Sequence, residues 1–113
     1  VFAGKLAAYV DAHRLAMELF ATRLREQASP KFSARAVHAA IGDLLAESPQ
    51  VPMIIAHSLI PTEHEPRLIE LAGETFDQVM DLLITDLHAT PAQARQTFAE
   101  LLLALVDRAA HPA

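Results

Sequence analysis

Six histidines, His13, His38, His57, His64, His88 and His111, are the side chains best suited to chemistry in this chain. An imidazole can ligate a metal, move a proton or hydrogen-bond a ligand, and spacing separates these roles. No H-x-x-x-H and no E-x-x-H occurs, so the helical zinc and di-iron patterns are absent. The grouping left open is His57 with Glu63 and His64, whose spacing matches no standard site. The expectation is no metal and no cofactor. There is no cysteine, which removes thiolate nucleophiles. Ser58 follows His57 directly, and neighbours on a helix point apart. With three glycines there is no G-x-S-x-G elbow and no phosphate loop. The paired carboxylates fall on wet helix faces. Nothing in this set asks for an enzyme.

Two histidines sit among apolar neighbours instead. His13 shares a helical face with Tyr9, Met17 and Phe20, alongside Leu6, Val10 and Leu24. Its polar tip must find a partner, which is either a ligand in a cavity or a backbone carbonyl. His57 lies inside "VPMIIAHSLI", a segment apolar nearly all round. Met17, Met53 and Met80 suit an adaptable pocket wall, and equally a plain core.

Prolines and caps define the elements that must position these residues. Period-two alternation is missing and β-branched residues are sparse, so five helices and no strand are expected. The first runs from about Lys5 to Gln27 and stops at Ser29-Pro30, because the residue before proline avoids helical angles. Ser33 caps a second helix, Ala34 to Glu47. Ser48 and Pro49 open a third, closed by Pro61. Thr62 and Glu65 have capping-box spacing for a fourth, running to about His88. Thr90, Pro91 and Gln93 repeat the device for a fifth, ending near Ala109. The short turn left between the last two predicts an antiparallel hairpin.

The hairpin has more apolar surface than one core needs. Phe98, Leu101, Leu102, Leu105 and Val106 form a stripe on the last helix, widened by Leu103 and Ala99. Leu68, Ala72, Phe76, Val79, Leu82 and Leu83 form the core stripe on the fourth, extended by Ile69, Met80, Ile84 and Leu87. Each spans roughly 200° of arc, where a surface helix needs about 100°. One side faces the core. The other predicts a second copy, and with it a two-fold intermolecular four-helix bundle. Other helices of the same chain are the competing cover. The third helix, apolar on all sides, belongs at the centre, under the first helix and against the hairpin.

A chain of 113 residues makes one domain with a modest core. No apolar run approaches a membrane span, and no signal-peptide pattern opens it. With no cysteine this fits a cytoplasmic setting. The chain starts at Val1, which suggests a piece of something longer. The first 35 residues hold six Lys and Arg against three Asp and Glu, and the rest hold three against eleven. An acidic body argues against gripping phosphates directly.

The opening "FAGK" (Phe2, Gly4, Lys5) resembles the aromatic-x-small-Lys stretch that leads into the long linking helix of TetR-family transcriptional repressors. "AESPQVPMIIAHSL" is similar to the acid-x-Pro start of that family's pocket-lining helix. "TFAELLLALVDRAA" is similar to its final helix, with Arg108 where a glycine is common. The resemblance implies a C-terminal ligand-binding and dimerisation domain, with a DNA-binding helix-turn-helix upstream of this sequence. It implies a small apolar ligand in a cavity walled by Tyr9, His13, Met17, Phe20, Met53, His57, Phe76 and Met80. It implies a homodimer joined through Ile69, Phe76, Met80, Ile84, Leu101, Leu102 and Val106. Phe76 and Met80 belong to both sets because the rotation of their helix is open. Ligand binding would reset the spacing of two DNA-binding domains. The competing reading is a helical protein–protein interaction module with no ligand cavity.

Overall fold

The computed structural model describes residues 2–28, 31–59 and 66–111. It is an all-α bundle, with α1 at Phe2–Ala28, α2 at Ala34–Glu47, α3 at Gln50–Leu59, α4 at Pro66–Asp81 and α5 at Pro91–Ala110. No strand occurs among the described residues. The stop expected at Ser29-Pro30 and the capping box expected at Thr62 and Glu65 lie outside them, as do Glu63, His64 and Pro61.

Local chemistry explains the helix starts that are described. The Ser33 hydroxyl accepts from the Ala36 amide at 3.2 Å and begins α2. Thr90 builds a complete capping box for α5. Its hydroxyl accepts from the Gln93 amide at 3.1 Å, and the Gln93 side chain accepts from the Thr90 amide at 2.9 Å. Pro91 then takes a first-turn position, where a missing N–H costs nothing. Helix α2 ends as the Ser48 amide reaches back to Leu44 O at 2.7 Å. After Pro49, α3 begins at Gln50, one residue later than Pro49.

The fourth helix ends differently from the expectation. It passes into a π-helical turn at Leu82–Asp86 and stops before His88. The Leu87 amide bonds Leu82 O at 3.0 Å, and the Ala89 amide bonds Leu83 O at 2.9 Å. His88 closes the turn in the left-handed region, at φ 64°. The wider turn brings Leu82, Leu83 and Leu87 together inward, all buried.

Helix α3 packs against α1, α2, α4 and α5, the central place its composition predicted. Its burial is not complete on all sides: His57 is exposed, and Met53, Ile54 and Leu59 are half-buried. The core joins Phe20 and Leu24 of α1, Val37, Ile41 and Leu44 of α2, Ile55 of α3, Val79 and Leu83 of the α4 segment, and Leu101 and Leu105 of α5. Helix α2 contributes at positions 37, 40, 41 and 44, the spacing of one helical face. Phe76 and Phe98 meet edge to face, ring centres 5.1 Å apart, where α4 and α5 face each other.

Helix α4 is rotated from the expected setting. Its inward positions are Leu71, Thr75, Val79 and Leu82, whereas Ala72 is half-buried and Phe76 exposed. A wheel that counts Thr75 as polar turns the mean apolar direction by about 50°, half a residue step, since Val79, Leu82 and Leu83 are inward in both settings. Phe76 is 43% exposed, with one edge of its ring against Phe98.

Candidate functional site: the cleft between α1 and α4

His13 is the one histidine buried among the described residues, at 4% exposure. Its α1 neighbours Ala16 and Phe20 set that face of the helix into the core. Nε2 lies 2.8 Å from the Thr75 hydroxyl of α4. Thr75 Oγ1 lies 2.7 Å from Leu71 O, one turn back on its own helix, and Ser58 Oγ lies 2.7 Å from Ile55 O. Ser58 Oγ is also 3.3 Å from Thr75 Oγ1. A buried polar chain therefore ties α1, α4 and α3 together. We assign the protons from the two shortest contacts. Each hydroxyl has one proton and spends it on its own helix carbonyl, as mid-helix Ser and Thr commonly do. Thr75 Oγ1 then accepts from His13 Nε2–H, and the lone pair of the imidazole is on Nδ1. Burial, with Arg67 adding to it, holds the His13 pKa below its ordinary value of 6.5 against an opposing pull from Glu74. Burial therefore favours the neutral ring.

His13 forms part of the floor of a cleft of about 550 Å³ between α1 and α4. Val10, Met17, Leu71 and Leu82 give it apolar wall. Its rim is ionic. Arg14 pairs with Asp11 at 2.7 Å, Arg25 with Asp86 at 2.7 Å, and Arg67 with Glu70 at 2.9 Å and Glu74 at 3.2 Å. Glu18 and Asp81 also line it. Neither has an ion-pair partner among the described residues, and Asp81 accepts a 3.0 Å hydrogen bond from Thr85.

The eight expected wall residues do not share one cavity. His13 and Met17 line the cleft. Tyr9 is half-buried nearby on α1, and burial raises its phenol pKa. Phe20 lines a separate apolar crevice of about 20 Å³ with Ile55, Val79 and Phe98, no larger than a water. Met53 and Met80 pack against the core, and Phe76 and His57 are exposed. His57 corrects the expectation of a buried polar group, because α3 turns that edge to solvent.

Of the seven expected contact residues, Ile69, Phe76 and Val106 are exposed, at 51%, 43% and 41%. Met80, Ile84 and Leu102 are half-buried. Leu101 is buried inside its own chain at 6%, so it belongs to the core and not to an outer face. Leu103, at 71%, joins the outer face.

Thr75 and Ser58 were missed as site residues, since capping positions account for most of the other hydroxyls. The signal was present: Thr75 stands four residues from both Leu71 and Val79, within the inward stripe. A second outer face was missed too. Ala8, Ala12, Leu15 and Leu19 repeat at alternating steps of four and three along α1, and all are exposed.

Among the described residues no three His, Asp or Glu side chains converge to hold a metal. No helix there is long and apolar enough to cross a membrane. Compared with protein-family models, curated proteins and solved structures, the chain has no match.

Proposed function

We propose that this is the ligand-sensing and dimerisation domain of a TetR-like transcriptional regulator. The observation that carries the reading is the outer face of the α4–α5 hairpin. Ile69, Phe76, Leu103 and Val106 are exposed there, beside half-buried Met80, Ile84 and Leu102. An apolar face of this kind on a small domain favours a partner, and a second copy supplies the same hairpin by two-fold symmetry. The α1–α4 cleft supports the sensing half. It has a small-molecule volume, apolar walls and a buried imidazole. Helix α1 lines that cleft and is the first helix of the chain, so in this reading a ligand that prefers one setting of α1 would bias a DNA-binding region joined to it. A switch from nearly full to nearly empty DNA occupancy needs on the order of 5 kcal/mol of differential affinity.

A helical interaction module is the second reading, favoured by the 20 Å³ size of the apolar crevice. Native mass spectrometry separates the two. A dimer carrying a few hundred daltons (roughly the size such sites hold) supports the sensing domain. A monomer that carries no small molecule contradicts it and favours the module.

A further inference from the structure

The cleft has a chemical bias that the apolar expectation did not contain. Each arginine lining it, Arg14, Arg25 and Arg67, already pairs with a carboxylate. Glu18 and Asp81 lack a cationic partner among the described residues. An anion entering here would meet guanidinium groups already committed and two carboxylates that are not. A cation would meet the reverse.

The buried ring at the floor points the same way independently. His13 Nε2 is committed to Thr75. Nδ1 has no hydrogen-bond partner among the described residues, yet it is not a sealed, unsatisfied atom. It therefore keeps some solvent contact, on a ring that lines the cleft. With Nε2 as the protonated nitrogen, Nδ1 offers a lone pair and asks for an N–H or O–H donor. A lone pair at the floor and uncompensated carboxylates at the rim describe the complement of an ammonium group.

The shape narrows the class. On α1 the lining extends from Val10 to Arg25, about 22 Å of helix. Val10, Met17, Ala21, Leu71 and Leu82 lie along it between the charges and suit methylene groups. We propose that the α1–α4 cleft binds an extended organic cation with N–H donors, of the alkylamine or polyamine class. One N–H bonds His13 Nδ1, and Glu18 and Asp81 neutralise the charge. The proposal rests on the reading of the domain as a ligand sensor and names the ligand class.

The test is a titration of the ¹⁵N-labelled chain with spermidine at low ionic strength, followed through the imidazole ¹⁵N signals. Hexan-1-ol serves as a neutral apolar control, and tetraethylammonium as a cation without N–H. Spermidine is expected to shift the His13 Nδ1 signal saturably, and tetraethylammonium to leave it in place. E18Q combined with D81N alters two exposed side chains and should weaken spermidine on the order of 10-fold, the loss of charge-assisted contacts. An equal response to tetraethylammonium, or unchanged binding by the double variant, overturns the cation assignment. If hexan-1-ol shifts His13 and spermidine does not, the sensing reading stands and the cation class falls. If no probe shifts it and the purified dimer carries no bound mass, both fall.

Discussion

The inner and outer sides of α4 lie on one helix and are built oppositely. Toward α1 the surface is ionic at its rim and hydrogen-bonded at its floor, with Thr75 taking His13 Nε2 beneath the Arg67 ion pairs. Away from α1 it shows exposed Ile69 and Phe76. Among the described residues the first side is satisfied apart from the His13 lone pair and the charges of Glu18 and Asp81. The second has apolar area that the described residues cover only in part, as Phe98 does for Phe76. The difference teaches that a wide apolar arc does not by itself say where a ligand goes. Here the apolar surplus faces outward, and the room for a small molecule lies on the polar side.

The largest effect should come from the outer side. Ile69→Glu with Val106→Glu should raise the dimer dissociation constant on the order of 100-fold or more, because each interface would then bury four carboxylates. Sedimentation velocity over a concentration series checks this, and far-ultraviolet circular dichroism should show the helices intact. Unchanged association would mean that copies meet elsewhere.

Next comes the floor of the cleft. Thr75→Val keeps shape but removes the acceptor of His13 Nε2–H and leaves it covered without a partner. A loss of about 1–3 kcal/mol is expected, read from denaturant midpoints. A change near zero would mean that His13 finds water or another acceptor.

A smaller effect follows from pH. The pKa of His13 is depressed by burial, so protonation favours the unfolded chain. Its contribution is fully present above the ordinary value of 6.5 and is lost as pH falls from there toward the folded-state value. Denaturation at about pH 7.5 and about pH 5.5 should show this, and His57→Gln, at an exposed position, should keep the same loss. If His57→Gln abolishes it, the sensitive group is not His13. The smallest effect is at the rim. Arg14 and Asp11 are both about 70% exposed on their side chains. Asp11→Asn should alter stability by less than about 0.5 kcal/mol, measured by the same denaturation.

What was legible in the sequence follows from the range of the interactions. Ser33 and Thr90 cap their helices through partners three residues away, so their positions follow from local spacing. The inward face of α2 is equally local. The end of α4 is not, because the π-helical turn at 82–86 and the left-handed His88 answer to how three leucines enter the core. Nor is the His13–Thr75 contact, whose partners are 62 residues apart. A wheel showed that α4 and α5 have two apolar sides. It did not show which side is inner, so Leu101 went to the wrong face and Phe76 stayed undecided between two. His57 misled because a mean over "VPMIIAHSLI" hides one wet edge.

The outer face of the hairpin has a rival in Leu15 and Leu19 of α1, exposed at 57% and 48%. The most direct measurement is therefore a pair of inter-subunit distances. The chain has no cysteine, so Leu103→Cys and Leu15→Cys each provide one spin-label site per copy. Pulsed electron resonance on each homodimer reads the separation of equivalent labels. The account predicts the shorter distance at residue 103, with the two hairpins packed at about 8–10 Å between helix axes. A shorter distance at residue 15, or no dipolar coupling at either site, would contradict it.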